Sequence, residues 1–211
     1  MTRFIIIRHG LSQYNHQRRF QGQLDIPLHE IGLEQAAASA KYVLENYKID
    51  RIYSSDLCRA SVTAQPIGEA LGMTIETDER LREINMGLWQ GMGFDEAIER
   101  FPDTERQRIA CIGKMRYDDG ESYGDVMERV RAFADEVEAE NEDKTVVVVS
   151  HGGAIRALLS SWLGYPPEDF GRVPIVPNAS VTVACVEKGK PEFELMYYTD
   201  HLEHVTVTNI E

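Results

Sequence analysis

Phe4-Ile5-Ile6-Ile7-Arg8-His9-Gly10 is the stretch from which the fold is read. Four apolar residues end abruptly in a cation, an imidazole and a glycine. Such a run reads as a buried strand. Arg8 and His9 then stand at its carboxyl end, where open α/β sheets build ligand sites. Thr145-Val146-Val147-Val148-Val149-Ser150-His151-Gly152-Gly153 repeats the design, with a helix predicted from Ala154 to Leu163. Two strands that both end in histidine can face each other across one crevice.

The pattern between and beyond these strands is mixed α/β. A helix is predicted from about Glu30 to Tyr47, with Leu33, Ala36, Ala37, Ala40, Val43, Leu44 and Tyr47 as its apolar stripe. A short strand at Asp50–Ser55 breaks into Asp56-Leu57-Cys58-Arg59-Ala60, which opens a second helix. Gly72 suits its stop, and a strand follows over Met73–Glu76. From Gly87 to Gly120 the pattern loosens into an inserted segment, with a short helix at Phe94–Phe101, that covers part of the site. Ser122, three residues before Asp125, caps a long helix whose buried stripe is Tyr123, Val126, Met127, Val130, Phe133, Ala134 and Val137. The tail reads as strands over 181–186, 193–198 and 205–207, the first two forming a hairpin through Lys188-Gly189-Lys190. The expectation is a single domain over 1–211 with an insertion at about 87–120.

Composition narrows the function. The 211 residues are ample for one sizeable core. No apolar run nears the roughly 20 residues of a membrane span, and the N-terminus lacks a secretory pattern, so a cytoplasmic location is expected. Cys58, Cys111 and Cys185 form neither a disulfide framework nor a zinc pattern and read as reduced thiols. The net charge of −13 argues against nucleic-acid and anionic-membrane partners. An anionic small molecule would have to be met by cations concentrated locally. Oligomeric state is left open.

Arg8, His9, Arg59, Glu83 and His151 all end strands or open helices. Guanidinium forks bind phosphoryl oxygens bidentately. Glycine backbone at Gly10, Gly22, Gly152 and Gly153 permits close approach, and helix N-termini add donors. A neutral histidine can attack phosphorus if its other ring nitrogen is held as a donor. A second imidazole can donate to the same oxygens. Glu83 can protonate the leaving oxygen and then activate water. Glu76, Asp78 and Glu79 stand close by in sequence as alternatives. Arg18 and Arg19, in the polar connection from Leu11 to Pro27, either steer an anion inward or are solvated. The same alternatives hold for Arg106, Arg108, Lys114 and Arg116 in the insertion. His16, His29, His201 and His204 carry no assigned chemistry.

The chain resembles the histidine phosphatase superfamily, which contains phosphoglycerate mutases and many small-molecule phosphatases. The matching stretches are Arg8-His9-Gly10 with Asn15; Phe20-Gln21-Gly22-Gln23-Leu24-Asp25-x-Pro27-Leu28-x-x-x-Gly32; Ser54-Ser55-Asp56-Leu57-x-Arg59-Ala60-x-x-Thr63-Ala64; Leu81-x-Glu83-x-x-x-Gly87-x-Trp89-x-Gly91; and Ser150-His151-Gly152-Gly153. The resemblance implies a three-layer α/β/α sandwich with a mostly parallel sheet and a short inserted lid. It implies His9 as the phosphorylated nucleophile, Arg8, Arg59 and His151 as the phosphate pocket, and Glu83 as proton donor. Asn15, Gln21, Gly22 and the backbone at Gly152 would line the substrate side. No metal and no cofactor are implied. Many members carry Glu directly after Arg-His-Gly, where this chain has Leu11.

The expected function is hydrolysis of a small phosphorylated metabolite through phosphohistidine. The alternatives are a cofactor-dependent phosphoglycerate mutase and, on the same fold, a non-catalytic phospho-ligand sensor. The short insertion without adjacent arginines, and Gly22-Gln23 where mutases commonly carry Gly-Trp, favour the phosphatase branch.

Overall fold

The computed structural model describes residues 1–205; the strand expected over 205–207 lies outside them except for its first residue. In chain order the elements are β1 (Thr2–Arg8), α1 (Gln13–His16), α2 (Glu30–Asn46), β2 (Arg51–Ser54), α3 (Cys58–Leu71), β3 (Ile75–Thr77), α4 (Phe94–Arg100), α5 (Pro102–Cys111), α6 (Tyr123–Glu140), β4 (Thr145–Ser150), α7 (Gly152–Trp162), β5 (Val181–Glu187) and β6 (Lys190–Tyr198). Among the described residues six strands form one sheet in the order β3-β2-β4-β1-β5-β6. β3, β2, β4 and β1 run parallel, and β5 is antiparallel to both β1 and β6.

The sheet is covered on both faces, which is why its central strands are continuous apolar runs. Side chains alternate along a strand. Phe4, Ile6, Val146 and Val148 accordingly pack against α6 and α7, through residues such as Val130, Phe133, Ile155 and Leu159. Ile5, Ile7, Val147 and Val149 pack on the other side against Ala40, Val43, Ala64 and Ile67 of α2 and α3. Thus α2, between β1 and β2, lies on one face and α7, directly after β4, on the other. The crevice between those two neighbouring strands is the switch point at which α/β sheets bind ligands.

The predicted stripe of α2 is corrected. Leu33 and Ala37 are exposed, while Gly32, Gln35 and Ser39 are buried beside Ala36, Ala40 and Val43. The helix is rotated by its approach to the loop after β1. A Cβ on Gly32 would run into the Leu11 carbonyl, and one on Gly10 into that of Gly32. Gln35 Oε1 accepts from Leu11 N at 2.8 Å. Contact between the loop and glycine backbone, together with a buried amide, outweighs burial of one leucine.

The long helix behaves as read: Ser122 and Asp125 form a reciprocal capping box on α6. The segment between Gly87 and Gly120 is more helical than expected, because α5 follows α4 with Pro102 in its first turn. Among the described residues no helix is long and apolar enough to cross a membrane.

Candidate active site

Register brings the two histidines together. Arg8 of β1 pairs with Ser150 of β4, and His9 N donates to Ser150 O at 2.9 Å. His9 and His151 are each the next residue along, and their ring centroids are 5.1 Å apart. β2 ends at the same level, with Ser55 N donating to Val149 O. Its continuation carries Arg59 into the first turn of α3. Glu83 arrives on the loop after β3, and Ser150 Oγ ties that loop down by donating to Leu81 O at 2.7 Å.

Both imidazoles are held neutral in defined tautomers. His9 is 1% exposed, and its Nδ1 donates to Gly10 O at 2.7 Å, leaving the Nε2 lone pair free. Burial, followed by the charges of Arg59 and Arg8, holds its pKa well below the usual histidine value. His151 is fully buried, and its Nδ1 accepts from Arg59 Nε at 3.2 Å, so its proton sits on Nε2. Burial and Arg59 depress its pKa as well. His151 Nε2 and Arg8 Nε are buried and have no hydrogen-bond partner among the described residues. A position for Cβ on Gly152 would lie 3.2 Å from Arg8 Nε, so Arg8 lies against the start of α7, which His151 immediately precedes. Buried donors without acceptors are costly, and a bound acceptor is one way in which they are satisfied.

The two arginines are fixed by carbonyls. Arg59 donates from Nη1 to Leu24 O at 2.7 Å and from Nη2 to Gly22 O at 2.6 Å. Arg8 Nη1 donates to Val176 O. Burial pushes both guanidiniums down to about 10, a measure of how poorly their charge is solvated. Glu83 accepts from Ile84 N at 2.8 Å and from Gly153 N at 3.0 Å. A Cβ on Gly153 would overlap Glu83 Oε1, so glycine is required there for the carboxylate to reach the helix start.

A cleft of ≈ 250 Å³ opens over this arrangement; Arg8, Asn15, Gln21, Glu83, Gly152 and Gly153 are among its lining residues. His9, Arg59 and His151 are not among its lining residues; all three are buried, and His9 and His151 are next in sequence to the lining residues Arg8 and Gly152. Ser12 Oγ joins Asn15 and Gln21, at 2.9 and 2.8 Å from their side-chain oxygens. Gly22 takes a different place from the one expected. It does not line the cleft; its backbone at φ +50° aims a carbonyl at Arg59. Of the residues with open alternatives, Arg19 lines the cleft and Arg18 lies over Phe94. Arg106, Arg108, Lys114 and Arg116 are paired with Asp103, Glu105, Glu168 and Asp125, away from the cleft. His29 caps α2, and His16 stacks on it.

A family model described as the histidine phosphatase superfamily (branch 1) matches residues 4–199. The chain belongs to this superfamily. It is 35% identical over 202 residues to phosphoserine phosphatase 1 of Hydrogenobacter thermophilus, covering 96% of this chain and 95% of that protein. It is 38% identical over 166 residues to a Yersinia pestis protein named "Probable phosphoglycerate mutase", covering 79% of this chain and 77% of that one. The solved structure of a mycobacterial glucosyl-3-phosphoglycerate phosphatase in complex with VO3 superposes with a TM-score of 0.85 at 33% identity, over 93% of this chain and 99% of that chain.

In this histidine phosphatase Leu11 is 1% exposed, so the apolar side chain that replaces the common Glu packs into the core and not into the cleft. Three residues of the site escaped the sequence reading. Arg156 lines the cleft from α7. Asn178 Nδ2 donates to His9 O at 3.0 Å. Arg129 donates to the carbonyls of Arg80, Arg82 and Glu83 at 2.7, 2.6 and 3.0 Å, and so holds the Glu83 loop. Arg156 had a readable signal: it lies three and four residues after Gly153 and Gly152 on a helix, hence on the same face.

Proposed function

We propose that this protein hydrolyses a small phosphomonoester in two steps through phosphohistidine at His9. The observation that carries the reading is the presence, beside one free imidazole lone pair on His9 Nε2, of two buried donors without a partner among the described residues, Arg8 Nε and His151 Nε2. A phosphoryl group supplies the acceptor oxygens those donors lack and the electrophile the lone pair attacks.

In the first step the bond from His9 Nε2 to phosphorus forms as the bond to the ester oxygen breaks. Glu83, at the start of α7, gives its proton to the departing oxygen. Arg8, Arg59 and His151 Nε2 stabilise charge on the phosphoryl oxygens, assisted by the N-terminal dipole of α7. In the second step Glu83 takes a proton from water as the water oxygen attacks phosphorus. The bond to His9 breaks and inorganic phosphate leaves. The donors are already fixed before substrate arrives, so little reorganisation is required at the moment of transfer.

The relatives named as phosphoserine phosphatase and glucosyl-3-phosphoglycerate phosphatase favour hydrolysis. A second reading, transfer of the phosphoryl group to another hydroxyl, has the relative named as a mutase in its favour. The deciding experiment measures phosphate release from a panel of phosphomonoesters beside a mutase assay primed with bisphosphoglycerate. Hydrolysis exceeding mutase flux is expected; mutase flux with negligible phosphate release would replace the first reading by the second.

A further inference from the structure

The cleft carries more positive charge than one phosphoryl group requires. Arg8, Arg19 and Arg156 line it, against the single carboxylate of Glu83, which is already engaged by Ile84 N and Gly153 N. The protein as a whole has a net charge of −13. Its surface guanidiniums commonly sit beside carboxylates, as Arg80 does with Asp78 and Glu136. Among the described residues Arg19 and Arg156 have no such partner. Arg156 donates from Nε and Nη2 to Val173 O, at 3.0 and 2.7 Å, and its Cζ lies 4.5 Å from the Phe170 ring centroid. Arg19 donates from Nε to Gly91 O at 2.8 Å and lies over Tyr14. Carbonyls and rings orient these cations without neutralising them.

Their placement indicates what they await. Gly152 and Gly153 begin α7 against Arg8 and Glu83. Arg156 stands on the same face one turn on, about 5 Å further along the helix axis. A group bound there would be a few bonds beyond the phosphorus. Burial lowers the pKa of Arg156, consistent with a charge held where water solvates it poorly.

We propose that the substrate carries a second anionic group beyond its phosphoryl group, and that Arg156, assisted by Arg19, holds it. This rests on the phosphomonoesterase reading for the identity of the first group. A guanidinium fork fits either a carboxylate or a second phosphate, and matched probes separate the two.

The test uses equilibrium binding to His9→Ala, which cannot form phosphohistidine, together with kcat/KM on the wild type. Phosphoserine is compared with phosphoethanolamine, which lacks the carboxylate, and glucose 1,6-bisphosphate with glucose 6-phosphate. On at least one pair the doubly anionic member is expected to bind about 10-fold tighter or better, the scale of a charge-assisted hydrogen bond; the preferred pair identifies the group. Adding Arg156→Gln should erase the preference, and Arg156→Lys should retain part of it. Should Arg156→Gln not fold, Arg156→Lys and Arg19→Gln still carry the comparison. Binding within twofold on both pairs, or a preference that survives substitution at both arginines, would overturn the proposal. A preference in binding without phosphate release by the wild type would sink the phosphatase reading and leave this one standing.

Discussion

Arg59 donates from Nε to Nδ1 of His151 at 3.2 Å inside the protein. A cation thereby presents its partner imidazole as a neutral donor, with the proton on Nε2 facing the crevice shared with His9. The same guanidinium holds Gly22 O and Leu24 O, so one side chain fixes a tautomer and the loop beside the cleft. Arg59→Lys keeps a charge but loses the fork. It is expected to lower kcat/KM at least about 100-fold, in the range of losing one oxyanion donor. ¹⁵N shifts of His151 should report Nε2–H in the wild type and a tautomer mixture in the variant; a pure Nδ1–H form in the wild type would contradict the assignment.

His9 and His151 should also shape the dependence of stability on pH. Their pKa values are depressed by burial, so the folded state keeps them neutral at pH values where the unfolded chain binds protons. Stability is therefore full above about pH 6.5 and falls below it, by roughly 1.4 kcal/mol per pH unit for each histidine. Urea unfolding at pH 7.5, 6.5 and 5.5 measures the slope, and His151→Asn should flatten it by about one proton. The acid limb of activity should likewise lie below pH 6.5, since His9, the proposed nucleophile, stays neutral there.

Arg129 positions Glu83 without touching the reacting atoms. Its guanidinium pairs with Glu121 and donates to three carbonyls of the loop that delivers Glu83. Arg129→Met should slow alkyl phosphates about 10-fold or more relative to nitrophenyl phosphate, whose good leaving group needs little protonation. Glu83→Gln should show the same pattern more strongly, within the 10²–10⁴-fold range of a general acid. Equal losses on both substrates would assign Arg129 to folding alone.

The crevice was legible in the sequence because β1 and β4 break from apolar runs into Arg8-His9 and Ser150-His151. What brings the histidines within 5.1 Å is register, which no single strand encodes. Side-chain periodicity misplaces the buried face of α2 because it counts Leu33 and ignores what Gly32 allows the backbone to do. The insertion's cations are ambiguous in sequence because their partners, such as Asp103 for Arg106 and Glu168 for Lys114, are surface carboxylates like many others in an acidic chain. Arg129 and Asn178 act through backbone carbonyls of distant loops, and a carbonyl has no sequence signature.

Phosphate analogues should stabilise the fold, because they satisfy Arg8 Nε and His151 Nε2. At 100 times its Kd, orthovanadate is expected to add about 2.7 kcal/mol, measured as a rise in Tm. Arg8→Gln should abolish most of the rise; an undiminished shift would place the anion elsewhere.

The most direct test is rapid quenching of the wild type and His9→Ala after mixing with a ³²P-labelled phosphomonoester that the wild type hydrolyses. The account predicts acid-labile, base-stable label on the wild type, located at His9, and none on the variant. Equal labelling of both proteins, or turnover by His9→Ala at the wild-type rate, would contradict it.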